Sequence, residues 1–216
     1  MPTLTEHDGV QVLHLGDDDN AFTLDWLTAV EDALDKAVAA ATPLVTTASG
    51  KHYSNGLDLA WVMEHPDDLP AYVARVQALL ARVLTLPVPT VAAVNGHAFG
   101  AGAMLAMAHD WRVMREDRGY LCFPEVDIRI PFTPGMAALI QAKLTPRAAV
   151  DSMTTGRRYA GPDAAGAGIA DETAAEADLL DRASARVAGL AGKHTETLGA
   201  IKSTMFAEVV ARLTTE

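Results

Sequence analysis

Residues 91–110 read VAAVNGHAFGAGAMLAMAHD and place Gly96, Gly100 and Gly102 within seven positions of an uncharged run. From Val83 to Ala108 there is no Asp, Glu, Lys or Arg, a stretch longer than the roughly 20 residues of a membrane span. Pro87, Pro89, Asn95, His97 and the glycines argue against one continuous helix there. The expectation is a buried strand (TVAAV), a tight turn (NGHAFG) and a buried helix opening at Ala101. Phosphate-loop readings of the glycines fail on the letters. A P-loop needs Gly-Lys-Ser/Thr, and no lysine lies between Lys51 and Lys143; a dinucleotide fingerprint needs a third glycine, and Leu105 follows Gly102 in its place.

Working outward, the same plan recurs upstream. PLVTTAS reads as a short buried strand, KHYSNG as a turn and LDLAWV as a short helix. Asp8-Gly9 predicts a hairpin turn. Leu24, Leu27, Val30, Leu34 and Val38 recur at helical spacing behind Thr23 as N-cap, and Tyr72, Val76, Leu79, Leu80 and Val83 line a long helix over 69–86. Downstream, DWRVM and GYLCF predict strands, Thr145-Pro146 a helix start, GPDAAGAGIADE turns, and 176–191 and 195–213 two closing helices. Alternating strands and helices predict an α/β chain, with a core over 1–160 and a C-terminal helical segment over 161–216.

Composition narrows the function. Seventeen Lys and Arg against 28 Asp and Glu leave a net charge of −11, which disfavours nucleic acid and anionic membrane as partners. The lone Cys122 cannot form an internal disulfide, and no Cys/His spacing suggests structural zinc, so a metal site is not expected and a reducing, cytoplasmic setting is. The first residues lack the pattern of a secretory signal, and the terminal TTE lacks a lipidation or peroxisomal one.

Small residues at the opening of a helix let a ligand reach backbone N–H groups that have no intrahelical partner. They also serve for close packing alone. Two such strand-to-helix turns could aim two donors at one oxygen; removal of one donor from an oxyanion hole costs roughly 3 kcal/mol of transition-state stabilisation.

YSNGLDLAWV, AAVNGHAFGAGAMLAMAHD and FPEVDI, in that order and spacing, resemble the enoyl-CoA hydratase/isomerase (crotonase) superfamily, and TTGRRYAGPDAAGAGIADE resembles its segment before the closing helices. The resemblance implies a spiral of ββα units, a homotrimer and an acyl-CoA thioester as substrate. It places the two oxyanion donors on the N–H groups of Leu57 and Ala101. Family hydratases use two glutamates; Met104 stands where the first would be, and Glu125 matches the second.

With one acid gone, the expected reaction is isomerisation of a 3-enoyl-CoA to the 2-enoyl form, as in the Δ3,Δ2-enoyl-CoA isomerases, whose short plant-like members YSNGLDLAWV and VDIRIPFTPGMAALIQAKL particularly resemble. C2 and C4 of the substrate lie only about 2.5 Å apart, so one carboxylate could move the proton between them with no metal or redox cofactor. Asp127 is the rival carboxylate. Lys51, Tyr53, Ser54, Asn55, Gly56, Gly100 and Met104 are expected around the substrate, and Lys51, Arg157, Arg158 and above all Lys202 are candidates for the CoA phosphates. Asp58 and Asp110 read as helix caps or loop ties, His97 as packing and Cys122 as a buried thiol. The alternatives are another crotonase-type reaction (hydratase, thioesterase or decarboxylase) and a non-catalytic acyl-CoA-binding protein.

Overall fold

The computed structural model describes residues 1–215; Glu216, the last residue of the expected C-terminal segment, lies outside the described residues. A hairpin opens the fold, with β1 (Thr3–His7) antiparallel to β2 (Val10–His14). Helix α1 (Leu24–Ala40) follows, capped by the Thr23 side chain, which accepts from the Trp26 amide.

Three units then repeat one plan, giving a strand to a large sheet, a short strand to a small sheet, and then helix. Strands β3 (Leu44–Thr47) and β4 (His52–Ser54) lead to α2 (Leu59–Glu64) and α3 (Leu69–Leu84). Strands β5 (Thr90–Val94) and β6 (His97–Phe99) lead to α4 (Ala101–Ala108), and β7 (Trp111–Arg115) and β8 (Leu121–Cys122) lead to the single turn α5 (Glu125–Ile128). The chain closes through α6 (Pro134–Lys143), α7 (Pro146–Thr155), α8 (Gly161–Gly166), β9 (Glu172–Ala174), α9 (Leu179–Ala188), α10 (Thr195–Met205) and α11 (Ala207–Thr214). The large sheet runs β1-β2-β3-β5-β7-β9, parallel apart from β1, and the small sheet is the parallel trio β4-β6-β8.

The central strands are buried on both faces. Val45, Val91, Ala93 and Val113 pack against Leu179, Ala183 and Val187 of α9. Leu44, Ala92, Val94 and Met114 face the other way, into the core with α3 and α4. A strand covered on both sides needs apolar residues without alternation, and every residue of α4 is buried as well. These two facts explain the uncharged run: it is the middle of a core, and no helix among the described residues is long and apolar enough to cross a membrane.

The structure departs from the sequence expectation in four places. The turns KHYSNG and NGHAFG contain strands β4 and β6; a three-residue strand is too short for its periodicity to show. GPDAAG forms α8 rather than turns alone. The closing helix expected over 195–213 breaks at Phe206, which lies outside helical geometry with φ −111° and ψ 19°. Strand β9, from within the segment expected to be helical, pairs with β7 and extends the large sheet.

Candidate active site

Because β3, β5 and β7 run parallel, the loops after them gather at one end of the sheet. The first of these, 48–57, is held from below. Asn20, buried and at φ 49°, donates its side-chain amide to the carbonyls of His52 (3.2 Å) and Tyr53 (3.1 Å). Ser54 Oγ donates to the Asn20 carbonyl at 2.7 Å and accepts from the Gly56 amide at 3.0 Å. The Phe22 amide donates to the Gly56 carbonyl at 2.7 Å. Gly56 itself takes φ +79°, a conformation that costs glycine little.

The second loop touches the first backbone to backbone. A β-carbon on Gly56 would sit 2.8 Å from the Ala101 and Gly102 nitrogens, and one on Gly102 would sit 2.2 Å from the Ser54 carbonyl oxygen. Glycine at both positions is therefore a condition of the contact. The Leu57 and Ala101 N–H groups flank it, and neither has a hydrogen-bond partner among the described residues. The Ala101 amide is the first of α4, where the helix dipole is positive.

Beside this pair of amides lies a cavity of about 530 Å³ whose wall includes Leu57, Gly100, Ala101, Met104, Glu125 and Phe132. Glu125 opens α5 and is 8% exposed. Its Oε1 would lie 3.6 Å from a β-carbon on Gly100, so the carboxyl adjoins the start of α4. Its buried Oε2 has no hydrogen-bond partner among the described residues. Burial pushes the Glu125 carboxyl up to about 7, against a smaller lowering by a backbone hydrogen bond. The site thus combines one buried carboxyl, poised near neutrality, with two free amide donors and apolar walls. That set can move a proton at a carbon beside a carbonyl whose oxygen gathers charge.

Of the residues expected around the substrate, Asn55, Leu57, Gly100, Ala101, Met104 and Glu125 line the cavity. Gly56 lies beneath it at the loop contact. Others fall elsewhere. Tyr53 is fully buried, its hydroxyl 2.6 Å from Thr46 Oγ1, and Ser54 ties the loop to Asn20. Asp127 is exposed and turned to Gly156, where a β-carbon would sit 2.3 Å from its Oδ2; as a rival to Glu125 it is on the wrong side of α5. Lys202 is corrected most clearly: its ammonium is buried, donating to Asp110 Oδ2 (2.6 Å) and the Val88 carbonyl (2.8 Å), at the opposite end of the sheet.

Lys51 is exposed and does not line the cavity, but it belongs to a cationic group with Arg118 and Arg158 around His97. Burial, then His52 and those three cations, hold His97 below its ordinary value. Arg158 lies over the Phe99 ring, 5.6 Å from its centroid, and Phe99 lines the cavity. Arg157 instead pairs with Asp163 at 3.7 Å. His97 stacks on Tyr120, and Cys122 donates to the Gly156 carbonyl at 3.2 Å, both in packing roles.

The enoyl-CoA hydratase/isomerase family profile matches residues 5–216. The chain belongs to the enoyl-CoA hydratase/isomerase family. This family member is 36% identical over 189 residues to peroxisomal enoyl-CoA delta isomerase 2 of Arabidopsis thaliana, covering 82% of this chain and 79% of the relative. It is 37% identical over 183 residues to enoyl-CoA delta isomerase 3 of the same plant, covering 81% and 77%. Among solved structures it resembles the apo enoyl-CoA isomerase of Mycobacterium tuberculosis, with a TM-score of 0.89 and 26% identity over 98% of this chain and 93% of that one. The chain is an enzyme of this family, and its spiral of strand-strand-helix units is the crotonase fold.

Several residues that shape this hydratase/isomerase site gave no functional signal in the sequence. Tyr72 looked like one more residue on an apolar helix face, yet its hydroxyl donates to the Phe22 carbonyl (2.8 Å) and accepts from the Asp58 amide (2.9 Å), joining both sides of the first loop. Asp58 in turn caps α2, accepting from the Trp61 amide at 3.1 Å. Asn20 had one legible cue, since an Asn after three aspartates suits a left-handed turn. His52, Arg118, Phe132 and Met136 had none, because their places depend on distant elements.

Proposed function

We propose that this enzyme converts 3-enoyl-CoA thioesters to 2-enoyl-CoA by a 1,3 proton transfer on Glu125. The observation that carries the reading is a single carboxyl buried in the cavity wall, with Met104 in that wall at the position to which the family resemblance assigns a second acid. Asp19 and Asp58 also line the cavity, but Asp19 is exposed and Asp58 is the α2 cap.

Glu125, as carboxylate, removes a proton from C2, which carbonyl and alkene together acidify. Charge passes to the thioester oxygen, which accepts from the Leu57 and Ala101 N–H groups as an oxyanion hole. The resulting Glu125 carboxylic acid returns the proton to C4, so no net proton leaves the site and no metal or redox cofactor is required. Beside Glu125 the wall is formed by Met104, Phe132 and Met136, with no second buried acid among the described residues to activate a water for hydration. The CoA phosphates lie on Lys51, Arg118 and Arg158, the cations beside His52 and Phe99. The two Arabidopsis relatives, named delta isomerases, support the same chemistry. The homotrimer and the cytoplasmic setting remain part of the reading on the family resemblance and composition; one of those relatives is named as peroxisomal.

The test is a rate assay with 3-enoyl-CoA thioesters, following the conjugated 2-enoyl product for wild type and Glu125→Gln. Loss of a positioned acid/base commonly costs about 10²–10⁴ in rate, so Glu125→Gln should fall at least about 10²-fold with acyl-CoA binding retained. No isomerisation by wild type, with water addition, hydrolysis, decarboxylation or binding alone in its place, would sink the proposal.

A further inference from the structure

A second cavity, also about 530 Å³, lies at the other end of the large sheet, under α10. Its floor is Pro89, Asp110 and Trp111, next to the starts of β5 and β7, whereas the Glu125 cavity lies past the ends of those strands. Neither the family assignment nor the proposed reaction uses it. Its walls are mainly apolar, with Leu198, Ile201 and Met205 of α10 turned towards it. Of α10 only Lys202 is buried, so an ion pair and a close approach of Gly199 to Pro87 hold this helix over open space.

The charges at the floor do not balance. Asp110 Oδ2 accepts from Lys202, from the Thr90 amide and from the Thr90 hydroxyl, which commits that oxygen. Lys143 also lines the cavity, and its ammonium has one hydrogen bond, to the His109 carbonyl at 2.8 Å, while lying 5.4 Å from the Phe206 ring centroid. Ammonium carries three donors; two on Lys143 have no partner, and no carboxylate lies within ion-pair distance of it, among the described residues. Arg112, the next cation, is already paired with Asp171. Burial, and then the neighbouring Arg112, pull Lys143 down to about 8 against smaller raising effects of Asp110 and Asp171. In a chain of net charge −11, the cavity is lined by three lysines, Lys143, Lys193 and Lys202, against the one carboxylate of Asp110, a local excess of positive charge. Apolar walls around a few convergent polar groups are the usual make-up of a small-molecule site, and the volume lies within its range of roughly 300–1,000 Å³.

We infer that this cavity binds a monocarboxylate with an unbranched apolar chain, its carboxylate on Lys143 and its chain along Leu198, Ile201 and Met205. Lys193, exposed, also lines the cavity, but the ammonium set among the apolar walls is that of Lys143, which suits one carboxylate, and the walls match an alkyl chain. Trp111 on the floor makes the site observable. The probe is 10-bromodecanoate, whose bromine quenches tryptophan emission on contact, titrated into the full chain. Saturable quenching is expected in wild type and should vanish in Trp111→Phe. It should be at least tenfold weaker in Lys143→Met, in Leu198→Phe, which fills the cavity from the opposite wall, and with the methyl ester of the probe. Unchanged melting of each variant establishes that the fold is intact. Quenching that survives Trp111→Phe would place the acid near Trp61 and the catalytic cavity, and overturn the inference. Equal quenching by acid and ester would overturn it too. So would an absence of quenching, including the case in which the groove is a contact between copies, read as an assembly that Ile201→Asp dissociates.

Discussion

Glu125 is where the chemistry is most sharply defined, because two opposing influences act on one carboxyl. The positive end of α4 favours the carboxylate by up to about 2 kcal/mol in a partly buried setting. Loss of water opposes it, and burial dominates, leaving the group at about 7. In the proposed reaction Glu125 is the general base and must be ionised, so kcat/KM for isomerisation should rise through about pH 7 and level off above it, a profile measurable on any reactive 3-enoyl-CoA. Folding stability should move the opposite way. A carboxyl raised from 4.5 to about 7 takes up a proton more readily when folded, so its cost is absent below 4.5 and complete above 7. Glu125→Gln should therefore be more stable than wild type above pH 7, by about 3 kcal/mol, with the difference closing below pH 4.5. Urea melts at pH 4.5 and 8 would measure it; a constant difference at both would contradict the buried carboxyl.

Elements matter through how closely they meet. The two loops that present Leu57 and Ala101 are positioned by the contact of Gly56 and Gly102 with each other's backbone. Gly102→Ala drives a β-carbon to 2.2 Å from the Ser54 carbonyl oxygen. Overpacking of this kind costs about 1–3 kcal/mol, and displacement of a reacting geometry by an ångström can cost about 10² in rate. The expected result is a kcat lowered about 10²-fold in a chain that still melts cooperatively; a normal kcat would mean the amides are not held by this contact. A second junction joins β3, β4 and the end of α4. His109 Nδ1 donates to the Leu105 carbonyl (2.8 Å), so its Nε2 accepts from Thr46 Oγ1 (3.0 Å), and Tyr53 donates to Thr46. Burial holds this fully buried histidine down at about 4, and the neutral form fits the chain of bonds. A histidine lowered from 6.5 to about 4 contributes fully above pH 6.5 and loses its contribution as pH falls to 4. The loss should be about 3 kcal/mol, seen as falling urea midpoints, and His109→Gln should flatten that slope.

For the whole molecule, one buried ion pair ties α10 to the residue before β7. Lys202 reaches from α10 to Asp110 and Val88, between residues 92 and 114 positions apart in the chain. Removing one partner of a buried pair leaves the other charge uncompensated, at a cost of about 3–5 kcal/mol. Lys202→Met should lower stability by about that much, and Lys202→Met with Asp110→Asn should recover part of it in equilibrium unfolding. Equal loss in the single and double variants would assign α10's attachment to other contacts. The sequence by itself determined the α/β alternation, the family and the residues on the two loops and in FPEVDI, because these depend on local spacing and on residue types that few other patterns share. That Glu125, Leu57 and Ala101 belong around one cavity was legible for that reason. Asp127 and Lys202 looked equally suitable as letters, but a side chain's direction around a single helical turn and the partner of a lysine are set by what packs against them. Only the tertiary structure decided that Asp127 turns to Gly156, that Lys202 is held by Asp110, and that Asn20 and Tyr72 hold the first loop, since each of these is a contact between elements far apart in the chain.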